Sequence, residues 1–145
     1  MTVELENLAL AVKRLQYRHH RTLDARLAPL GITLVQWDAL RAISRHPNAS
    51  SHRLAQLTFQ TDQSFGALAN RLVARGLINR LTGPGRALRH CLTPAGEALL
   101  SEGYPMYNEV LSKSFSPLSS TERDTLYDLL TRLLHGPDRS LVDRE

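Results

Sequence analysis

The chain has 145 residues, 42% of them hydrophobic and 22% charged, with a single cysteine; this length buries a core without disulfides or a structural metal, and the composition is not that of a disordered chain. No apolar run approaches the ~20 residues of a membrane span, and Glu4 and Glu6 stand where a secretion signal carries a basic and then an apolar stretch, so the expected location is the cytoplasm. The net charge of +4 is unevenly held: residues 41–96 carry eight arginines and one acid, Asp62, for a net +7, while the remainder sums to −3.

Segregation of this kind fits contact with phosphate, and a solvated basic face without a partner is the plain alternative; architecture has to decide between them. Residues 4–28 are predicted as one long helix, because Leu5, Leu8, Val12, Leu15 and His19 follow a three-four spacing that shifts by one step to Leu23, Leu27 and Leu30. Pro29 and Gly31 stop it. Thr33 and Gln36 stand at capping-box spacing, with Ile32 and Trp37 placed as a hydrophobic staple, so a second helix starts there. Trp37, Leu40 and Ile43 give it a buried stripe, and His46-Pro47-Asn48 ends it by about residue 45.

Ser51 is expected to cap a short third helix in which Leu54 and Leu57 face inward and Ala55 leaves room for a neighbour. After a turn at residues 58–60, a fourth helix covers residues 61–75, with Phe65, Leu68, Ala69 and Leu72 on its core side and Gly76 just past its end. Two short helices about a tight turn make a helix-turn-helix candidate. Residues 77–82 and 88–92 read as strands joined by Gly83-Pro84-Gly85-Arg86, and the resulting β-hairpin makes this a winged helix-turn-helix.

Thr93 caps and Pro94 opens a further helix, in which Gly96 and Gly103 weaken the helical signal and Pro105 introduces a kink or a restart. Ser119 and Glu122 form a second capping box ahead of a last helix whose leucine face comprises Leu126, Leu129, Leu130, Leu133 and Leu134. The fold class is therefore mainly α with one short β-hairpin. Neither that leucine face nor the Leu5, Leu8, Val12, Leu15 seam can be covered by a monomer with so long a first helix, and self-association buries both.

Several segments, in order, carry a resemblance: Leu27-Ala28-Pro29-Leu30-Gly31-Ile32-Thr33, Gln36-Trp37 with Leu40, Leu54-Ala55, Arg71-Leu72-Val73-Ala74-Arg75-Gly76-Leu77-Ile78, Gly85-Arg86-Ala87 and Leu92-Thr93-Pro94-Ala95-Gly96. Each is common alone; at these spacings, over most of the chain, they resemble the MarR family of bacterial transcription regulators. The resemblance implies a single domain in which residues 1–30 and 98–145 form a dimerisation region and residues 31–97 a winged helix-turn-helix lobe that binds double-stranded DNA. It also implies a homodimer, most often a repressor, on a pseudo-palindromic operator with half-sites ~10 bp apart. Many family members carry Asp two residues before the wing arginine; here that position is Pro84, a rigid turn in place of a salt link.

With Phe65, Leu68 and Leu72 buried, the fourth helix shows Gln63, Ser64, Gly66, Ala67, Asn70 and Arg71, which outside a helix-turn-helix would be a plain solvated face. Inside one, Gln63 suits bidentate pairing with adenine, Ala67 a thymine methyl, and Ser64 a base or a phosphate, while Gly66 admits a close backbone approach. Thr61 and Ser51, as caps, turn free N–H groups toward phosphates, and Asn70 and Arg71 fall where the DNA backbone runs. Arg86 at the wing tip is placed for a minor groove, with Arg80 and Arg89 on the hairpin stem as phosphate contacts.

The resemblance further implies release of DNA by a small aromatic or phenolic anion near Arg18, His19, Trp37 and Arg41. Residue by residue a plainer reading exists: Trp37 in the core, His19 in the helix seam, the arginines paired with Asp24 or Asp38. Cys91, on the second strand without a resolving partner, reads as structural, and the six histidines lack ligand spacing, so neither metal nor cofactor is expected. A zinc- or redox-responsive regulator of the same fold, or an architectural DNA-binding protein without an effector, are the alternatives. No phosphate-binding glycine loop, helical metal pair or activated nucleophile is present in sequence context, which argues against an enzyme.

Overall fold

The computed structural model describes residues 2–82 and 88–136. Helix α1 (Leu5–Leu27) runs into a 3-10 turn over Ala28–Leu30, which Gly31 closes with φ +76°. Proline inside the turn and glycine after it supply the fixed and the left-handed backbone that this reversal requires. Helix α2 (Leu34–Arg45) begins with the expected capping box: Gln36 N–H donates to the Thr33 hydroxyl and Thr33 N–H to the Gln36 side chain, both at 3.2 Å. The Leu34 N–H, a further free donor at that helix start, is taken by Asp24 at 2.8 Å.

Helix α3 (Ser51–Leu57) is capped by Ser50, whose hydroxyl accepts from Arg53 N–H at 3.1 Å, rather than by Ser51, which is the first helical residue. Adjacent serines offer the same chemistry, and Ser50 is the one with extended backbone (ψ 163°). Helix α4 (Asp62–Ala74) is capped by Thr61 and buries Phe65, Leu68, Ala69 and Leu72, the expected i, i+3, i+4, i+7 face. It ends at Gly76, φ +73°, with Leu77 N–H returning to the Leu72 carbonyl.

Strands β1 (Ile78–Thr82) and β2 (Leu88–Leu92) pair antiparallel, Ile78 opposite Leu92 and Thr82 opposite Leu88. The wing tip between them, with Pro84 and Arg86, lies outside the described residues. Helix α5 (Pro94–Phe115) starts with Thr93 as cap and Pro94 in the first turn. It does not restart at Pro105. That proline and Ser101, whose carbonyl it cannot serve, are both exposed residues, so the helix passes Pro105 on its solvent side.

The two glycines that weaken the helical signal in α5 have packing causes. A Cβ on Gly96 would run into the Leu77 carbonyl, and one on Gly103 into the Trp37 indole. Trp37 is fully buried, stacked edge-on against Tyr104 (5.0 Å) and tilted against Tyr107 (4.8 Å), and its Nε1 donates to the Leu100 carbonyl at 3.3 Å. The core is thus centred where α2 crosses α5, with Leu23 and Leu27 of α1 and the inward face of α4 around it.

Helix α6 (Ser120–His135) carries the second capping box, Ser119 with Glu122, and the Ser119 N–H and hydroxyl hold the Glu122 carboxyl below its usual pKa range. It buries none of its residues. Leu129, Leu130, Leu133 and Leu134 are exposed there, as are Leu5, Leu8 and Val12 on α1. None of the described helices is long and apolar enough to cross a membrane.

Candidate nucleic-acid interface

Helix α4 is sealed into the core along one side and open along the other. Gln63, Ser64, Ala67, Asn70 and Arg71 are all exposed, and Gly66 lies between them with nothing within 4 Å of where a Cβ would stand. Among the described residues no contact asks for a glycine at that position. Thr61, whose hydroxyl accepts the Ser64 N–H at 3.0 Å, sets the start of the helix, and Ser51 is exposed at the start of α3. The structure therefore brings together seven of the eight residues singled out for DNA on one lobe; the eighth, Arg86, falls outside the described residues.

The arginines of this lobe divide by occupation. Arg75 donates to the Gly31 carbonyl (2.7 Å) and to the Gln36 side chain (3.1 Å), which ties the end of α4 to the start of α2. Arg89 reaches Asn48 at 3.1 Å, fixing β2 against the loop before α3. Arg41 pairs with Asp38 at 2.8 Å and lies over the rings of Trp37 and Tyr107 at 5.2 and 4.8 Å. Arg45, Arg71 and Arg80 make no side-chain hydrogen bond among the described residues and stay available to an anion.

One polar chain at the mouth of the helix-turn-helix escaped the sequence reading. His52 of α3 meets Asp62, the first residue of α4, at 2.8 Å, and its other ring nitrogen lies 3.3 Å from the Gln56 amide. The signal was available: Asp62 is the only acid in the basic segment. The turn between these helices also holds Phe59 in a left-handed conformation (φ 57°), its side chain 95% exposed. Among the described residues it is the one non-glycine with positive φ, and a bulky residue there is a strained position.

The four residues placed around an effector do not converge on one site. A crevice of about 610 Å³ between α1, α5 and the lobe is lined by His19, His20, Asp38, Arg41, Tyr107 and Phe115, with Phe59 and apolar residues of α1 and α6. Trp37 lies fully buried behind Arg41 and Tyr107. Arg18 opens instead into a second groove of about 440 Å³ with Thr22, Arg26, Glu109 and Lys113, which His19 also lines. His19 bonds Ser114 and packs on Phe115 at 5.3 Å; burial, and then the charge of Arg18, lowers its pKa. Asp38 is pushed up by burial, against the opposing pull of Arg41 and His20. Asp24 serves the start of α2, so of the two acids proposed as arginine partners only Asp38 takes that part. Cys91 is half-buried, and among the described residues no three His, Cys, Asp or Glu side chains converge as a metal site.

Comparison with known proteins agrees with this architecture. A MarR family sequence profile matches residues 30–87, the helix-turn-helix and the first part of the wing. The HTH-type transcriptional repressor Rv2887 of Mycobacterium tuberculosis is 28% identical over 112 residues, 76% of this chain and 81% of that protein. Crystal structures of Rv2887 in complex with p-aminosalicylic acid and with salicylic acid each superimpose at TM-score 0.71 with 25% identity. A probable transcriptional regulator from Pseudomonas aeruginosa is 31% identical at TM-score 0.75, covering 86% of this chain and 95% of that one. A MarR mutant from E. coli complexed with operator DNA shares the fold at TM-score 0.82, with 24% identity, over 91% of this chain and 99% of that one. With its capped, outward-facing α4 backed by the hairpin and its matched profile, the chain belongs to the MarR family of DNA-binding transcription regulators.

Proposed function

We propose that this chain works in the cytoplasm as a homodimeric, non-enzymatic repressor that binds a pseudo-palindromic operator through residues 31–97 and is released by a small aromatic or phenolic anion. The observation that carries the reading is the open face of α4: short polar and small side chains, Gln63, Ser64 and Ala67, at its N-terminal end, followed by Asn70 and Arg71. That sequence of types suits base edges first and phosphates after them. Thr61 and Ser51 supply helix starts for phosphates, and Arg86 in the wing supplies a minor-groove contact.

Residues 1–30 and 98–145 form the dimerisation region in this reading. Its support is the amount of leucine surface left open on α1 and α6, which a second copy covers in a two-fold arrangement. The effector reading is supported by the 610 Å³ crevice, where the Arg41 guanidinium and His19 stand beside Tyr107 and Phe115, so that a carboxylate and an aromatic ring find partners together. Arg18 contributes from the neighbouring groove, and Trp37 reports on the crevice through Arg41. The salicylate complexes of Rv2887 are in keeping with a ligand of this class.

The test is a selection from random duplex DNA followed by titration of the enriched site with salicylate. The expected outcome is a two-fold symmetric consensus, weakened binding as salicylate is added, and a change in emission of Trp37, the only tryptophan. A protein that binds DNA but enriches no consensus is an architectural binder; an operator complex indifferent to salicylate removes that ligand class from the proposal.

A further inference from the structure

We propose that Asp62 is a base-reading residue, accepting a hydrogen bond from the exocyclic amino group of a cytosine, and that His52 is the residue that positions it. The inference rests on the operator-binding reading and adds to it a contact outside Gln63, Ser64 and Ala67.

A carboxylate is an unfavourable tenant for a surface that approaches DNA. Against eight arginines in residues 41–96 it is the lone acid, and it stands at the first residue of the exposed helix, directly before Gln63. Its benefit to the helix dipole is real but small. What sets Asp62 apart is that it is held. His52 takes Oδ1 at 2.8 Å from the preceding helix, and the far nitrogen of His52 is in turn 3.3 Å from Gln56. Two side chains of α3, one directly and one behind it, thus fix the carboxylate on α4, with Oδ2 making no hydrogen bond among the described residues. Both Asp62 and His52 are about two-thirds exposed, 68% and 67%. Buried packing therefore does not explain the arrangement. An ordered exposed acceptor at the N-terminal end of a recognition helix can bind only a donor, and the major groove offers two: the N4 amino group of cytosine and the N6 amino group of adenine. Carboxylates are matched to the first, because adenine also presents the N7 acceptor that a carboxylate repels.

The test is a parallel selection from random duplex DNA with the wild-type protein, Asp62→Asn, His52→Ala and His52→Gln. For Asp62→Asn, which can donate as well as accept, one position of the enriched site and its symmetry mate should move from C·G to A·T, with about a tenfold loss of discrimination for cytosine. His52→Ala should blur the same position without moving it, and His52→Gln, which keeps a donor, should restore it. A consensus identical in wild type and Asp62→Asn, with affinity raised evenly for all sequences, overturns the proposal and leaves Asp62 a charge only. A wild-type selection that enriches no site overturns both this inference and the operator reading.

Discussion

His90 is the buried polar side chain of the described core: it is 4% exposed, stands edge-on to Phe65 at 5.9 Å, and its Nδ1 has no hydrogen-bond partner among the described residues. Burial first, and then the charge of Arg80 opposite it on β1, holds its pKa below the usual imidazole value. The unfolded chain consequently binds more protons near and below pH ~6.5 than the folded one, so stability is complete above that value and falls as the pH drops through it. His19, lowered for the same reason, adds in the same direction; Asp38, raised, acts in the opposite sense but near pH 4. Urea unfolding should show a lower midpoint at pH 5.5 than at pH 7.5. His90→Leu should flatten that difference and cost little at pH 7.5, because it removes an unsatisfied polar atom at similar volume. Equal slopes in wild type and variant would count against the buried neutral imidazole. None of this was readable beforehand. A histidine in a strand of unknown facing has no sidedness until β1 and β2 are placed against α4. The placement of the α3 cap at Ser51 instead of Ser50 has a simpler origin: two adjacent residues of one type are told apart by backbone angle alone.

Capping was the most legible property of the elements. Thr33-Gln36, Thr61, Thr93-Pro94 and Ser119-Glu122 each fixed a helix start by local chemistry, and local chemistry survives whatever the rest of the chain does. The glycines and proline of α5 misled for the complementary reason. Helix propensity counts Gly96, Gly103 and Pro105 as breaks, whereas the glycines are imposed by residues distant in sequence, Leu77 and Trp37. Gly103→Ala separates the two effects. Propensity alone makes the change favourable by up to ~1 kcal/mol, while forcing a methyl against a buried indole costs typically 1–3 kcal/mol. The net expectation is a lowered Tm in thermal unfolding with a shifted Trp37 emission; a raised Tm would mean that the indole yields freely. The turn at Phe59 belongs to the same class, since nothing in Thr58-Phe59-Gln60 announces a left-handed aromatic.

For the whole molecule, the excess charge of the middle segment falls on the helix-turn-helix lobe and overstates how much of that charge is free. Arg41, Arg75 and Arg89 are engaged within the fold, so the salt dependence of DNA binding should reflect fewer phosphate contacts than the count of arginines suggests. The open leucine faces of α1 and α6 make a sharper statement. Leu8→Glu combined with Leu130→Glu should leave the lobe folded, since neither side chain belongs to its core, yet yield a monomer in sedimentation and weaken operator binding by orders of magnitude, because two half-sites are no longer engaged together. A variant that stays dimeric would place the interface elsewhere. The contact of Trp37 with Gly103 also has a mechanical meaning. With no side chain between them, α5 and α2 meet backbone to indole, a joint too tight to slide, so α5 and the helix-turn-helix lobe attached to α2 turn as one lever. In the proposed dimer, the spacing of the two DNA lobes would then follow from how far the paired α5 struts splay about the two-fold axis, and a ligand that changed that splay would move both lobes together.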